Sequence, residues 1–111
     1  MKKISAMIRP FKLEAIKSAL VDTGVAGMTI SEVRGFGRQR GQLATVSSQP
    51  YSDFLQKLRV EIVVDDHLVS KVVETLVTTA RTGDIGDGKL FITPVETAIR
   101  IRTGERGPDV L

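Results

Sequence analysis

The 111-residue sequence has no cysteine, no tryptophan, one histidine, one tyrosine and four prolines. Without cysteine there is no disulfide framework, no thiolate zinc site and no cysteine nucleophile. One histidine, His67, leaves a transition-metal site without a second nitrogen ligand, and its place is the surface at a helix start. No serine–histidine–acid set and no paired carboxylates stand together, so hydrolytic catalysis has no support. No apolar run reaches the roughly 18 residues of a membrane span. Met1-Lys2-Lys3 leads straight into an alternating pattern, not into the apolar core of a signal peptide. The expectation is a cytoplasmic protein without a membrane span. Charge of one sign is not in excess: 16 basic and 13 acidic residues give a net charge of +3, too balanced to attract nucleic acid in bulk.

What is present is one domain, residues 1–111, with 41% hydrophobic and 26% charged residues. A chain of this length buries a modest core, so oligomerisation would help it. Ile4, Ala6 and Ile8 alternate with polar residues and predict a strand that Pro10 ends. Leu13, Ile16, Ala19 and Leu20 recur at helical spacing before Gly24. Residues 28–36 are β-rich but slip in alternation between Ile30 and Val33, which predicts a strand bulged near Gly35. Leu58, Val60, Ile62 and Val64 alternate clearly. Asp65 and Asp66 then offer cap oxygens to a helix carrying Leu68, Val72 and Leu76 on one face. Leu90, Phe91 and Ile92 form a fourth strand up to Pro94, and Ile99 and Ile101 predict a short fifth strand with a basic opposite face. Residues 104–111 read as a loose tail. The order β-α-β-β-α-β is that of an α+β, ferredoxin-like domain: an antiparallel sheet, both helices on one face, and a short C-terminal strand.

Three stretches carry chemistry. Residues 83–89, Gly-Asp-Ile-Gly-Asp-Gly-Lys, satisfy the first part of a phosphate-loop pattern, but Leu90 stands where a magnesium-ligating hydroxyl belongs and the helix-loop-strand order is reversed. Exposed glycine amides and the Lys89 charge remain, and composition leaves phosphate binding and a tight turn both open. Arg100 and Arg102 share one face of the expected strand, either to meet an anion or to guard an edge by charge. Arg34-Gly35-Phe36-Gly37 copies the start of an RNA-binding signature. The copy fails at Arg38, Gln39 and Gly41, where aromatic or aliphatic residues are needed, so nucleic acid is not expected. The longest connection, about residues 37–54, is glycine- and arginine-rich at its start and small and hydroxyl-rich at its tip. Connections beyond roughly 12–15 residues are usually functional or disordered.

Residues 1–10, 32–41, 57–64, 82–89 and 100–105 together resemble the PII nitrogen-signalling family. That resemblance implies a homotrimer of ferredoxin-like subunits: regulators, not enzymes, that control nitrogen or carbon/nitrogen metabolism. It implies an ATP or ADP site in each intersubunit cleft, with Mg2+ accompanying ATP. Thr82, Gly83, Gly86, Asp87, Gly88 and Lys89 match the phosphate-cradling B-loop (82–89). Arg100 and Arg102 match the C-loop (100–105), which reaches over from the neighbouring subunit. Gly35, Gly37, Arg38 and Gln39 match the base of the T-loop (about 37–54), and Met28, Thr29, Glu61 and Val63 match adenine and ribose neighbours. For 2-oxoglutarate, Gln39 would touch both metal and ligand, Lys57 would pair a carboxylate, and the Arg40-Gly41 backbone would help.

The T-loop is the surface that such proteins present to a protein target, whether enzyme, transporter or regulator. Here its tip departs from the family. Val46-Ser47-Ser48-Gln49-Pro50-Tyr51 replaces the usual charged approach, one residue shorter, and no arginine stands between Gly41 and Lys57. Tyr51 lies near the tyrosine usually modified but in a different setting, so the expectation is no uridylylation there, with Ser47 or Ser48 as phosphorylation candidates. The alternative is a PII-like paralogue that binds adenine nucleotide with a different effector and partner.

Overall fold

The computed structural model of the chain describes residues 1–36 and 55–111. In chain order the described residues form β1 (Lys2–Ile8), α1 (Leu13–Val21), β2 (Thr29–Gly35), β3 (Leu55–Val64), α2 (Val69–Ala80) and β4 (Leu90–Pro94). The strands lie in the order β2-β3-β1-β4, with every neighbouring pair antiparallel. This is the ferredoxin-like α+β arrangement that the element order predicts.

Period-two alternation decides which side is covered. Ile4, Ala6 and Ile8 of β1 and Leu58, Val60, Ile62 and Val64 of β3 are buried. Against them pack Ile16 and Leu20 of α1 and Val72 and Leu76 of α2, completing one core. The intervening residues of β1 and β3, among them Ser5, Met7, Lys57, Arg59 and Glu61, form the opposite face, which carries neither α1 nor α2 and is only half-buried among the described residues. α2 holds its β-branched residues because burial of Val72 and Leu76 outweighs their weak propensity. Each helix is entered through a 3-10 turn, Pro10–Lys12 or Asp66–Leu68. Asp65 caps the second turn by accepting from the Asp66 N–H at 2.9 Å. Asp66 instead pairs with Lys2 at 3.0 Å.

Three expectations are corrected. β2 pairs with β3 without interruption from Thr29–Glu61 to Gly35–Leu55, so there is no bulge near Gly35. The slip in alternation reflects an edge strand, on which Ile30 remains exposed. The fifth strand is absent. Ile99 makes one isolated bridge with Arg106, and Arg100 N–H donates to Glu105 O at 2.8 Å. Gly104, at φ +75°, reverses the chain there, so Ile99 and Ile101 never run long enough to find a strand partner. Ile101 is fully exposed. The tail is less loose than expected, ending in a 3-10 turn at Pro108–Val110.

Leu76→Ala should destabilise the domain by roughly 2–5 kcal/mol, the usual penalty for emptying a buried leucine site. Val77→Ala, on a partly exposed position beside it, should change stability by less than about 0.5 kcal/mol. Chemical denaturation of the two variants measures the contrast.

Candidate functional site

The loop between α2 and β4 is built around one carboxylate. Asp87 Oδ2 accepts from the N–H groups of Thr82 at 2.8 Å and Gly83 at 2.9 Å. Its Oδ1 accepts from the Thr82 hydroxyl and, at 3.1 Å, from Nε of Arg9. Arg9 Nη2 also donates to the Ile85 carbonyl at 3.0 Å, and Lys57 Nζ donates to the Gly86 carbonyl. Three successive loop acceptors therefore rest on two cations at one end of the sheet. Burial, with the Arg9 guanidinium next in weight, lowers the pKa of Lys57, while Asp87 opposes the shift. The Thr82 hydroxyl, followed by the Thr82 and Gly83 amides and Arg9, holds the Asp87 carboxyl far below its usual range against an opposing desolvation.

Glycine is required at two levels here. Gly83, Gly86 and Gly88 all have positive φ, a region that other residues enter at a penalty. A Cβ on Gly88 would in addition run into the Met7 carbonyl oxygen. Gly88 lies this close because Met7 N–H donates to Lys89 O at 2.8 Å, fastening the loop's exit to β1. Residues 83–89 are thus a tight turn, fastened to β1 through Met7 and Arg9, with Lys89 at its mouth.

A cleft of about 720 Å³ opens beside this loop, lined by Gly35, Phe36, Lys57, Gly86, Lys89 and Phe91 among others. A second cleft, of about 750 Å³, lies at the other end of the sheet and contains Met28, Thr29, Glu61 and Val63. There Glu61 is held between Lys3 at 3.4 Å and Arg59 at 3.2 Å. Lys57 and Val63 are six residues apart on β3, roughly 20 Å along an extended strand. β4 also ends near the second cleft, with Val95 N–H donating to Met1 O at 3.1 Å. The turn holding Arg100 and Arg102 follows from that end, with Arg100 paired to Glu105 at 3.2 Å. The two arginines therefore do not share a strand face as expected.

One chain thus brings Gly35, Lys57 and residues 82–89 together and gathers Met28, Thr29, Glu61 and Val63 elsewhere. Gly37, Arg38, Gln39, Arg40, Gly41, Ser47, Ser48 and Tyr51 lie outside the described residues. Arg9 was not among the candidates, although one signal was available. It continues the alternation of Lys3, Ser5 and Met7 one step past the last paired rung of β1, just before Pro10. His67 sits exposed in the turn before α2, with Nδ1 at 3.4 Å from Asp65. Among the described residues no helix is long and apolar enough to cross a membrane.

The family described as Nitrogen regulatory protein P-II matches residues 1–105. The chain is similar to proteins of that name from Nostoc punctiforme (59% identical), Synechocystis (57%) and Haemophilus influenzae (54%), with all of both chains covered in each case. Each alignment spans 112 positions against the 111 residues here, which accords with one residue fewer in this chain.

The depressed Asp87 pKa gives the loop a signed pH dependence. Its contribution is fully present above the ordinary aspartate value, about 3.9, and is lost as pH falls from there toward the lower folded-state value. Amide exchange at Thr82 and Gly83 should therefore lose protection as pH drops below about 4, after correction for the intrinsic rate. Asp87→Asn should remove that pH dependence and leave the loop under-protected throughout; NMR-detected exchange across the acid range tests this.

Proposed function

Since the chain belongs to the nitrogen regulatory protein P-II family, whose members are signalling regulators and not enzymes, we propose that it binds ATP or ADP between the subunits of a homotrimer. It reports that nucleotide, together with 2-oxoglutarate, to a protein target through residues 37–54. The observation that carries the reading is the division of the candidate residues between two ends of one sheet. A nucleotide gripped at its phosphates by residues 82–89 and at its base by Met28, Thr29, Glu61 and Val63 needs the second set from a neighbouring copy. Such a neighbour would also bring Arg100 and Arg102 toward the phosphates. A shared site would cover the half-buried sheet face left open by α1 and α2 and the exposed Ile101 turn.

The loop suits a polyphosphate. Its glycine-rich backbone admits close approach, Lys89 and Lys57 add point charges, and the Asp87 carboxylate is already filled by donors from Thr82, Gly83 and Arg9. Among the described residues no three metal-ligating side chains cluster. By the family resemblance, a magnesium ion accompanying ATP would be held by the triphosphate and Gln39. Bound with ATP, the ion supplies a positive centre for a keto-acid, whose far carboxylate Lys57 would pair while the Arg40-Gly41 backbone contributes amides. The different-effector alternative is not favoured, because the full-length relatives above carry the regulator's name.

Sedimentation should give a trimer mass. Lys89→Ala and Arg102→Ala should each weaken ATP roughly tenfold to a hundredfold, the loss of one charge-assisted contact. Trimers mixed from the two variants should regain a fraction of full-affinity sites, because some interfaces then pair an intact Lys89 with an intact Arg102. Monomers, or unchanged affinity in both variants, would sink the assignment.

2-Oxoglutarate should bind only with MgATP, and it should tighten ATP by the factor by which ATP tightens it. Lys57→Ala should abolish keto-acid binding while sparing ADP. Equal calorimetric titrations with and without MgATP would count against this mechanism.

A further inference from the structure

Arg9 lies outside every group of residues assigned above to nucleotide or keto-acid. It leaves β1 one step past the Ile8–Leu58 rung, on the open face of the sheet, and its electrostatic influence reaches Lys57. Two cations so placed repel and, left alone, would weaken this end of the sheet. They are accommodated because Ile85 O, Gly86 O and the Asp87 carboxylate lie over them. Arg9 takes two of those three acceptors at once, and the Arg9–Asp87 pair is largely shielded, with side-chain exposures of 16% and 22%. Only a planar, forked donor serves a carboxylate and a neighbouring carbonyl together from one fixed strand end. The groups that face Asp87 are Arg9, Thr82 and the Gly83 amide, with Lys57 beyond on β3.

We propose that Arg9 is a positioning residue for the phosphate loop, holding it through Asp87 and Ile85 in its binding shape before any ligand arrives. The proposal rests on the nucleotide reading above. A loop already shaped loses less conformational freedom on binding, so its affinity is higher than its contacts alone would give. Arg9 acts through Asp87 and touches no ligand.

The test joins exchange in the ligand-free protein to ATP titration of the same samples. In Arg9→Ala, the Thr82, Gly83 and Asp84 amides should exchange faster while core amides such as Val60 and Val72 keep their protection. ATP should weaken roughly tenfold, in line with the loss of a charged hydrogen-bond pair. Arg9→Lys should recover only part of both effects. Once Asp87→Asn is present, Arg9→Ala should add little to either, since the two act as one unit. Faster loop exchange with unchanged ATP affinity would overturn the proposal, as would full recovery by lysine or additive effects in the double variant. If the unaltered chain bound no ATP, the nucleotide reading and this proposal would fall together. ATP binding by the unaltered chain that Arg9→Ala left intact would remove only this proposal.

Discussion

β1 and β3 pair over seven rungs, from Lys2–Val64 to Ile8–Leu58, and alternate residues of both strands are buried beneath α1 and α2. That central antiparallel pair constrains everything around it. Because side chains alternate with period two, burying one set commits the other to the open face, and a shift of one residue would exchange them. Lys57, Arg59 and Glu61 are therefore held on the open side by the same packing that holds Leu58, Val60 and Ile62 inside. The two clefts inherit their positions from the two ends of this pair, and the length of β3 keeps them apart.

The end near Arg9 is organised by electrostatics instead of packing. Two cations, one carboxylate and two carbonyls satisfy one another there, and the loop's glycines let its backbone come near enough to take part. Asp87 is the hub, with donors from Thr82, Gly83 and Arg9. A hub of this kind fixes shape without filling space, which leaves the cleft beside it open. The opposite end is built differently: Glu61 is shared between Lys3 and Arg59, which leaves a balanced, half-buried polar floor beside Met28 and Val63.

The strands and helices were legible because each repeats its period long enough to read. β1 and the second half of β3 alternate without a fault, and α2 shows Leu68, Val72 and Leu76 on one face. Ile99 and Ile101 offer a single repeat, and nothing in so short a run distinguishes a strand from a turn closed by Gly104. β2 looked irregular because an edge strand buries less, and its pattern weakens where burial does. The glycine-rich loop was legible as a candidate anion site, but its holder was not. Arg9 stands 78 residues before Asp87, and only the strand order reveals that they meet. The separation of the candidate residues was likewise hidden, since Met28 and Gly35 stand seven residues apart yet line different clefts at the two ends of β2.

Gly35 and Leu55 face each other across the last rung of β2 and β3, so the segment between them leaves and returns at adjacent points. The entropy of closing such a segment depends only logarithmically on its length, about 0.6 kcal/mol per doubling. Removing one residue from it then changes stability by no more than about a tenth of a kcal/mol. On chain entropy alone, then, the length of this segment is close to neutral for the domain, and its ends are set by the last rung of β2 and β3 whatever lies between them.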